Sequence, residues 1–457
     1  MLTDTIAAIS TPIGEGGIAV VRVSGQKAVE IVDSCFVPKS QHQKLTAVPS
    51  HSIVHGHIYS QNGEMIDEVL VAVMRAPRTY SGEDTVEISC HGGILIARLL
   101  LETVISYGAR LAYPGEFTKR AFLNGKLDLS QAEAVADLIH SKTELALKAA
   151  RNQLQGGLSK IIDEAWSDLM DICAHVEADI DFSEEDIEIA PWDKIIERLC
   201  VLREKIDLLL KTSREGKILR EGLRTVIIGS PNSGKSSLLN RLLGQDRAIV
   251  SSIPGTTRDT IEELANINGL PVIFVDTAGL RNSTDPLELE GIKRSMRALE
   301  NAELVLHVID CSRAETDEDR QWFQVSEKYP RIIVLNKIDL PLNFVFPAQV
   351  ECIRIVKTSC LTGVGLDELK HLIFESAFST NCGQASEHVA INTRHQKTLE
   401  KAFYAINRAI ELLQKGESIE FVAMELRSAA NSIGEITGRV YTDDLLDSIF
   451  NQFCIGK

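Results

Sequence analysis

The sequence predicts a multidomain α/β plus all-α chain: an α/β nucleotide-binding domain inserted in a helical domain, with a second α/β domain ahead of both. Three observations predict this. A strand, a glycine-bounded loop and a helix follow one another at "RTVIIGSPNSGKSSLLN", apolar stripes at helical spacing flank that region on both sides, and strand-like runs with turn punctuation fill the first part of the chain. With 457 residues and about 150 residues per domain, roughly three domains are expected, each able to bury a core. The expected bounds are 1–119 for the first, 120–215 with 380–457 for the helical one, and 216–379 for the nucleotide domain.

In the first domain "GGIAVVRVSG", "HSIVHGHIY", "EVLVAVMRAP" and "DTVEISCHGG" read as strands, and "ILIARLLLETVI" reads as a helix. From Arg110 to Lys126 there are four cations and one acid, which suggests a local anion site. His91 is expected in a turn or core, since no second ligand lies near it in the sequence. Beyond it, Leu129, Ala132, Val135, Ile139, Leu147, Ala150 and Leu154 fall near helical spacing, with Ser130 and Glu133 as the expected capping box. The texture returns later in Leu399, Phe403, Ile406, Ile410 and Leu413, and in Ile419, Val422, Leu426, Ala429 and Ile433. Such stripes are bundle core, so one helical domain interrupted by the nucleotide domain is expected, with exposed polar joints near "KTSREGK" and "STNCGQASEH". The acidic "EADIDFSEEDIE" reads as a solvated loop or, less simply, a calcium site without EF-hand spacing.

The central segment carries the chemistry. Gly229 and Gly234 fit G-x-x-x-x-G-K-[ST], in which glycines let backbone N–H groups approach a polyphosphate at a helix N-terminus. Lys235 would reach the β and γ phosphates and Ser236 would hold Mg²⁺. Asn232, Ser233 and Ser237 belong to the same run. "DTAGL" follows a strand-like run, placing Asp276, Thr277, Ala278 and Gly279 where a carboxylate supports the magnesium shell and an N–H meets the γ-phosphate. "NKID" follows "RIIVL"; Asn336, Lys337 and Asp339 match a guanine-reading motif, because the aspartate accepts from the base's N–H edge and adenine has no matching donors. Ser359 and Cys360, in "TSCLTGVGLDEL", fall where the last base-contacting loop belongs. Four motifs in this order resemble a Ras-like P-loop GTPase. Leu280 stands where such enzymes carry the water-orienting glutamine, so Asn232 and "SSIPGTTRD", with Thr257 as a second Mg²⁺ ligand, suggest a monovalent cation in place of an arginine finger.

Composition narrows the class. Net charge is −16, which argues against a surface coated for nonspecific nucleic-acid binding and leaves a local basic groove open. No apolar run approaches membrane length, and "MLTDTIAAIS" lacks a signal peptide's basic start. Nine cysteines stand singly, without a Cys-x-x-Cys pair, which suits a reducing cytosol. The chain ends in "FCIGK". As a prenyl acceptor this is a poor fit, since Gly456 is not aliphatic and Lys457 is not a usual final residue.

Read together, "GEGGIAVVRVSG", "PGEFTKRAFLNGKLDLSQAEAVADLI", "PNSGKSSLLN", "PGTTRDTIEE", "DTAGLR" and "DDLLDSIFNQFCIGK" resemble the MnmE (TrmE) family of tRNA modification GTPases over all three expected domains. The resemblance implies a cytoplasmic homodimer that joins the flavoprotein MnmG in a heterotetramer and acts on the wobble uridine of certain tRNAs. It implies addition of an aminomethyl-type group, such as carboxymethylaminomethyl, at uridine C5. The one-carbon unit would come from 5-formyl- or 5,10-methylene-tetrahydrofolate, and the nitrogen from glycine or ammonium. It further implies that the first domain is folate-binding-like, with Arg22, Glu87, Lys126 and Lys457 at folate-contacting positions. In the GTPase it implies K⁺ held by Asn232, Ser251, Ile253 and Thr256, GTP contacts along Ser251, Ser252, Ile253, Pro254, Gly255, Thr256 and Thr257, and Glu288 positioning the catalytic water. Without the resemblance Glu288 is a solvated carboxylate. Cys454 becomes a reactive thiol carried by the tail to the folate site. Two other readings share parts of this pattern: a ribosome-assembly GTPase switch, and a folate-dependent transferase regulated by GTP.

Overall fold

The computed structural model describes residues 4–39, 44–181, 191–246, 262–275, 298–344, 354–378 and 391–457. They form two compact units, one of residues 1–136, 159–166 and 430–457 and the other of residues 137–158 and 167–429.

In the first unit a seven-stranded sheet is built from β1 (Ile6–Ile9), β2 (Ile18–Ser24), β3 (Phe36–Pro38), β4 (Ser52–Tyr59), β5 (Met65–Met74), β6 (Thr85–His91) and β7 (Arg110–Leu111), in the order β3-β4-β5-β6-β2-β1-β7. The four expected strand runs are all present. β1 was hidden in "TIAAIS", a short alanine-rich run with little β-propensity, yet it sits inside the sheet, antiparallel to β2 and parallel to β7. Along β5, Asp67, Val69, Val71 and Val73 are buried while Glu68 and Leu70 are exposed, the alternation of a sheet packed on one face. Helices α1 (Ala28–Cys35) and α2 (Ile94–Ser106) cover that face, placing Val29, Val32, Leu100 and Val104 against Val21, Val71 and Ile88. His91 pairs with Asp67 at 2.7 Å.

The cations between Arg110 and Lys126 do not make an open anion site. Helix α3 (Glu116–Leu123) carries Arg120, whose side chain is 1% exposed. Its guanidinium donates to Asp4 at 2.8 Å, Glu83 at 3.1 Å and Glu116 at 3.1 Å. Arg110 shares Asp4 and Glu116 at 2.6 Å each, and Lys119 pairs with Asp447. Apart from Glu116, the balancing acids Asp4, Glu83 and Asp447 come from distant sequence, which a local charge count does not reveal. A buried guanidinium requires such partners.

Helix α4 (Leu129–His140) begins one step earlier than its expected cap: Asp128 accepts from Gln131 N at 2.9 Å and its own N–H bonds the Gln131 side chain, while Ser130 lies inside the helix and donates to Asp128. An ionised carboxylate is a stronger acceptor than a hydroxyl for the first-turn amides. The stripe to Leu154 is broken, because Thr143 caps a new helix, α5 (Glu144–Leu154). Further helices are α6 (Gly157–Asp181), α7 (Trp192–Lys211) and α8 (Ser213–Glu221). "KTSREGK" is therefore helix rather than an exposed joint: Glu215, Ile218 and Leu219 are buried on α8. The second joint, 379–388, and part of the acidic segment, 182–188, lie outside the described residues.

The second unit holds a six-stranded sheet made of β8 (Leu223–Ile228), β9 (Glu263–Ile267), β10 (Leu270–Phe274), β11 (Leu304–Asp310), β12 (Arg331–Asn336) and β13 (Arg354–Lys357), in the order β13-β12-β11-β8-β10-β9. All pairs are parallel except β9 with β10. Helices α9 (Lys235–Asp246), α10 (Asp317–Ser326) and α11 (Leu366–Ala377) accompany it. Every residue of β11 is buried, as a parallel strand covered on both faces requires. The later stripes form α12 (Thr393–Lys415) and α13 (Ile419–Thr437), with Leu399, Ile406, Val422, Leu426 and Ile433 buried; α14 (Asp443–Phe450) leads to the tail.

His307, in the middle of β11, is fully buried against Phe323, and neither ring nitrogen has a hydrogen-bond partner. Burial, reinforced by Arg331, pushes its pKa down to about 3. The unfolded chain protonates this ring below about pH 6.5 while the folded chain does not, so its contribution is complete above that pH and is lost as the pH falls toward 3. Between pH 7.5 and 5.5 this costs about 1.4 kcal/mol of stability. Chemical denaturation at the two pH values should show that loss shrinking by about this amount in His307→Leu; an equal loss in both proteins would contradict it.

Candidate functional site

Two groups of chemistry-bearing side chains stand out, one in each unit. In the second unit the loop from Gly229 to Gly234 joins β8 to the N-terminus of α9, at the point where the sheet order reverses between β10 and β11, the usual ligand crevice of an open parallel sheet. Backbone crowding explains the glycines. A Cβ on Gly229 would lie 2.1 Å from the Val308 carbonyl, and one on Gly234 would lie 2.1 Å from Asn336 Nδ2. Asn232 is left-handed (φ 61°) and exposed on the loop, a conformation that asparagine tolerates better than most residues. Lys235 Nζ donates to the carbonyls of Gly229 at 2.8 Å and Ser230 at 2.9 Å, and burial lowers its pKa to about 8. Ser236 and Ser237 follow in the first turn of α9.

The residues of "NKID", expected to read guanine, lie beside this loop. Asn336, 1% exposed, donates from Nδ2 to Ser233 O at 2.9 Å, and its Oδ1 accepts from Cys360 N at 3.3 Å. It therefore ties three segments of the site together. Asp339 is exposed and accepts from the buried Ser359 hydroxyl at 2.5 Å. Lys337, held left-handed at φ 65°, pairs with Asp310 at 2.6 Å. Burial raises the Asp310 carboxyl, but the bonds from Lys337 and Ser312 outweigh it and hold it below the usual range. Neither Asp310 nor its link to Lys337 was legible beforehand, since "VID" reads as an ordinary strand end. Ser251, Ser252, Ile253, Pro254, Gly255, Thr256, Thr257, Asp276, Thr277, Ala278, Gly279, Leu280 and Glu288 lie outside the described residues.

In the first unit the last described residues lie against β1, β2 and α3. Gly456 O accepts from Ser10 Oγ at 3.2 Å and lies 3.5 Å from Arg22 Nη1, while the Cys454 and Lys457 carbonyls accept from the backbone amides of Gly115 and Phe117. Arg22 on β2 pairs with Glu87 on β6 at 2.9 Å, their strands being in direct register. Its guanidinium stacks between the rings of Tyr80 and Phe117, 5.7 and 5.6 Å from their centroids. Arg22, Glu87 and the tail residue Lys457 thus belong to one neighbourhood. Lys126 is engaged elsewhere, with the Pro77 carbonyl at 3.0 Å, on the loop that carries Tyr80. Cys454 is exposed, alone among the described cysteines. By contrast, burial pushes the Cys35 thiol up to about 12 and the Cys90, Cys173 and Cys311 thiols to about 11.

The fold and these residues define a P-loop nucleotide-binding protein whose first unit carries a polar cluster where the tail is seated. Residues 5–126 match the family model described as GTP-binding protein TrmE N-terminus, and residues 129–454 match the MnmE helical domain. Proteins named tRNA modification GTPase MnmE are similar along the whole length: that of Alkaliphilus metalliredigens is 43% identical, covering 100% of both chains, and that of Geobacillus thermodenitrificans is 47% identical, covering 99% of both. That of Levilactobacillus brevis is 44% identical over 99% of this chain and 98% of its own. The chain belongs to the MnmE family of tRNA modification GTPases.

Among the described residues no helix is long and apolar enough to cross a membrane, and no cluster of three or more His, Cys, Asp or Glu side chains is arranged to hold a metal.

The tail's seat depends on Gly456, which has φ 96° and whose Cβ would lie 2.3 Å from Ile9 O. Gly456→Ala should therefore unseat residues 454–457, seen as faster hydrogen exchange at the Phe117 amide. Unchanged exchange there would show that the tail is held without this close approach.

Proposed function

We propose that this protein hydrolyses GTP to drive modification of tRNA, and that its two sites divide the work. The observation that carries the reading is the seating of the tail: the Gly456 carbonyl lies 3.5 Å from Arg22, which pairs with Glu87, and the exposed Cys454 stands two residues earlier on the same tail, remote in sequence from the phosphate loop. In the nucleotide site Lys235 and the loop amides would bind the phosphates, Asp339 would read guanine, and Ser236 would ligate Mg²⁺ with Thr257. Asn232 supports the proposal of K⁺, because its side chain is exposed on the loop's left-handed corner; Ser251, Ile253 and Thr256 would complete that shell, and Glu288 would orient the water. A positive ion at this position supplies the charge stabilisation of an arginine finger.

In the tail site a reduced folate, 5-formyl- or 5,10-methylene-tetrahydrofolate, would supply the one-carbon unit. The donor set suits it. Arg22 and Lys457 would offer cations for carboxylates or a polar ring edge, Glu87 would accept from ring N–H groups, and Tyr80, which lies against Arg22, leaves part of its ring exposed to a flat ligand. Lys126 would have to leave the Pro77 carbonyl to reach such a ligand. The proposed product is an aminomethyl-type group, such as carboxymethylaminomethyl, on C5 of the wobble uridine, made with the flavoprotein MnmG. The homodimer is supported by large apolar side chains left exposed in the first unit, among them Ile18, Leu95 and Tyr113. A cytoplasmic setting agrees with the absence of pairing among the described cysteines.

Cys454→Ser separates the two chemistries. The variant should hydrolyse GTP at the wild-type rate, faster in K⁺ than in Na⁺ by a factor approaching ~10³ if the ion fully replaces an arginine finger. Nucleoside analysis of tRNA from cells carrying only this variant should show the modified wobble uridine missing. Full modification would reassign the tail to packing, and equal rates in the two salts would remove the cation from the reading.

A further inference from the structure

Ser230 is the second residue of the phosphate loop, at a position that the G-x-x-x-x-G-K-[ST] pattern leaves free. Its hydroxyl donates to Oδ1 of Asp319, 89 residues away. Both residues are 1% exposed, so the bond is screened from water, where a hydroxyl–carboxylate contact is stronger than a neutral one. The other carboxylate oxygen is fixed on the helix side: Oδ2 accepts from Thr316 N at 3.0 Å and Thr316 Oγ1 at 2.7 Å, completing the capping box of α10. Arg313 lies 3.5 Å from Oδ1. Burial raises the Asp319 carboxyl, yet the bonds from Ser230 and Thr316 prevail and keep it ionised.

On the loop side the same peptide units are pinned from two other directions. Gly229 is pressed against the Val308 carbonyl, and the carbonyls of Gly229 and Ser230 both hold Lys235 Nζ. The Ser230 side chain is thus the point at which α10 fixes the loop segment that orients the phosphate-binding lysine.

We propose that Asp319, acting through Ser230, is a positioning residue that holds the phosphate loop in its nucleotide-accepting shape. The proposal rests on the reading of residues 229–236 as the phosphate site. It links nucleotide affinity to the Ser230–Asp319 contact itself, not to the cap that Asp319 completes on α10.

The test measures the affinity of the full-length protein for a fluorescent GDP analogue, alongside KM and kcat for GTP. Ser230→Ala and Asp319→Ala should each weaken binding roughly tenfold, the effect of one hydrogen bond to a charged group. The double variant should be no weaker than the worse single one, because each change removes the same contact. KM should rise while kcat stays within about twofold, as expected for binding lost equally in ground and transition states. Thr316→Ala is the control, breaking the side-chain cap while leaving the Ser230 contact. It should lower the melting temperature and leave GDP affinity unchanged. The proposal is overturned if wild type and Ser230→Ala bind equally well, or if Thr316→Ala weakens binding as much as Ser230→Ala does. Absence of guanine-nucleotide binding in the wild type would instead overturn the phosphate-site reading beneath it.

Discussion

The first unit depends on one buried charge. Arg120 is almost wholly enclosed, and its guanidinium reaches Asp4 ahead of β1, Glu83 in the β5–β6 connection and Glu116 one turn back on α3. Removing one partner of such a pair leaves the other uncompensated, at a cost of about 3–5 kcal/mol. More than stability hangs on it. Tyr80, in the β5–β6 connection, and Phe117, on α3, are the two rings that hold Arg22, so the ion cluster fixes the walls of the tail site. The amides that receive the tail, those of Gly115 and Phe117, flank Glu116. Sequence, buried charge, aromatic walls and docked terminus form one chain of dependence.

The nucleotide unit relies on close backbone approach instead. Gly229 against Val308 and Gly234 against Asn336 leave no space for a side chain, and Asn336 in turn joins the phosphate loop to the Cys360 segment. The strain of left-handed Asn232 and Lys337 falls at these functional positions, as it does where surrounding structure over-determines the backbone. The phosphate loop and the "NKID" segment are therefore linked through two residues, Ser233 and Asn336.

What was legible in the sequence was whatever is local in the sequence. The phosphate loop and "NKID" carry their requirements within a few residues, and the helical and strand periods of the long elements are equally local. Less was legible where partners are distant. Asp4 and Glu83, which join Glu116 in neutralising Arg110 and Arg120, the Ser230–Asp319 bond and the need for glycine at 456 all depend on segments far away in the chain. Two local readings differ from the structure. The Ser130 and Glu133 spacing suggests a capping box, but the cap falls on Asp128, whose carboxylate and N–H both bond Gln131; "KTSREGK" is polar enough to read as an exposed joint, but burial of Glu215, Ile218 and Leu219 holds most of it in a helix.

If the tail and the Arg22 wall form the proposed folate-binding surface, folate binding requires residues 454–457. Calorimetric titration of 5-formyl-tetrahydrofolate into the full chain and into a chain ending at Phe453 measures this. Binding to the full chain, loss of binding in the shortened one and equal GTP hydrolysis by both are expected; equal folate affinity in the two would remove the tail from the proposed folate site.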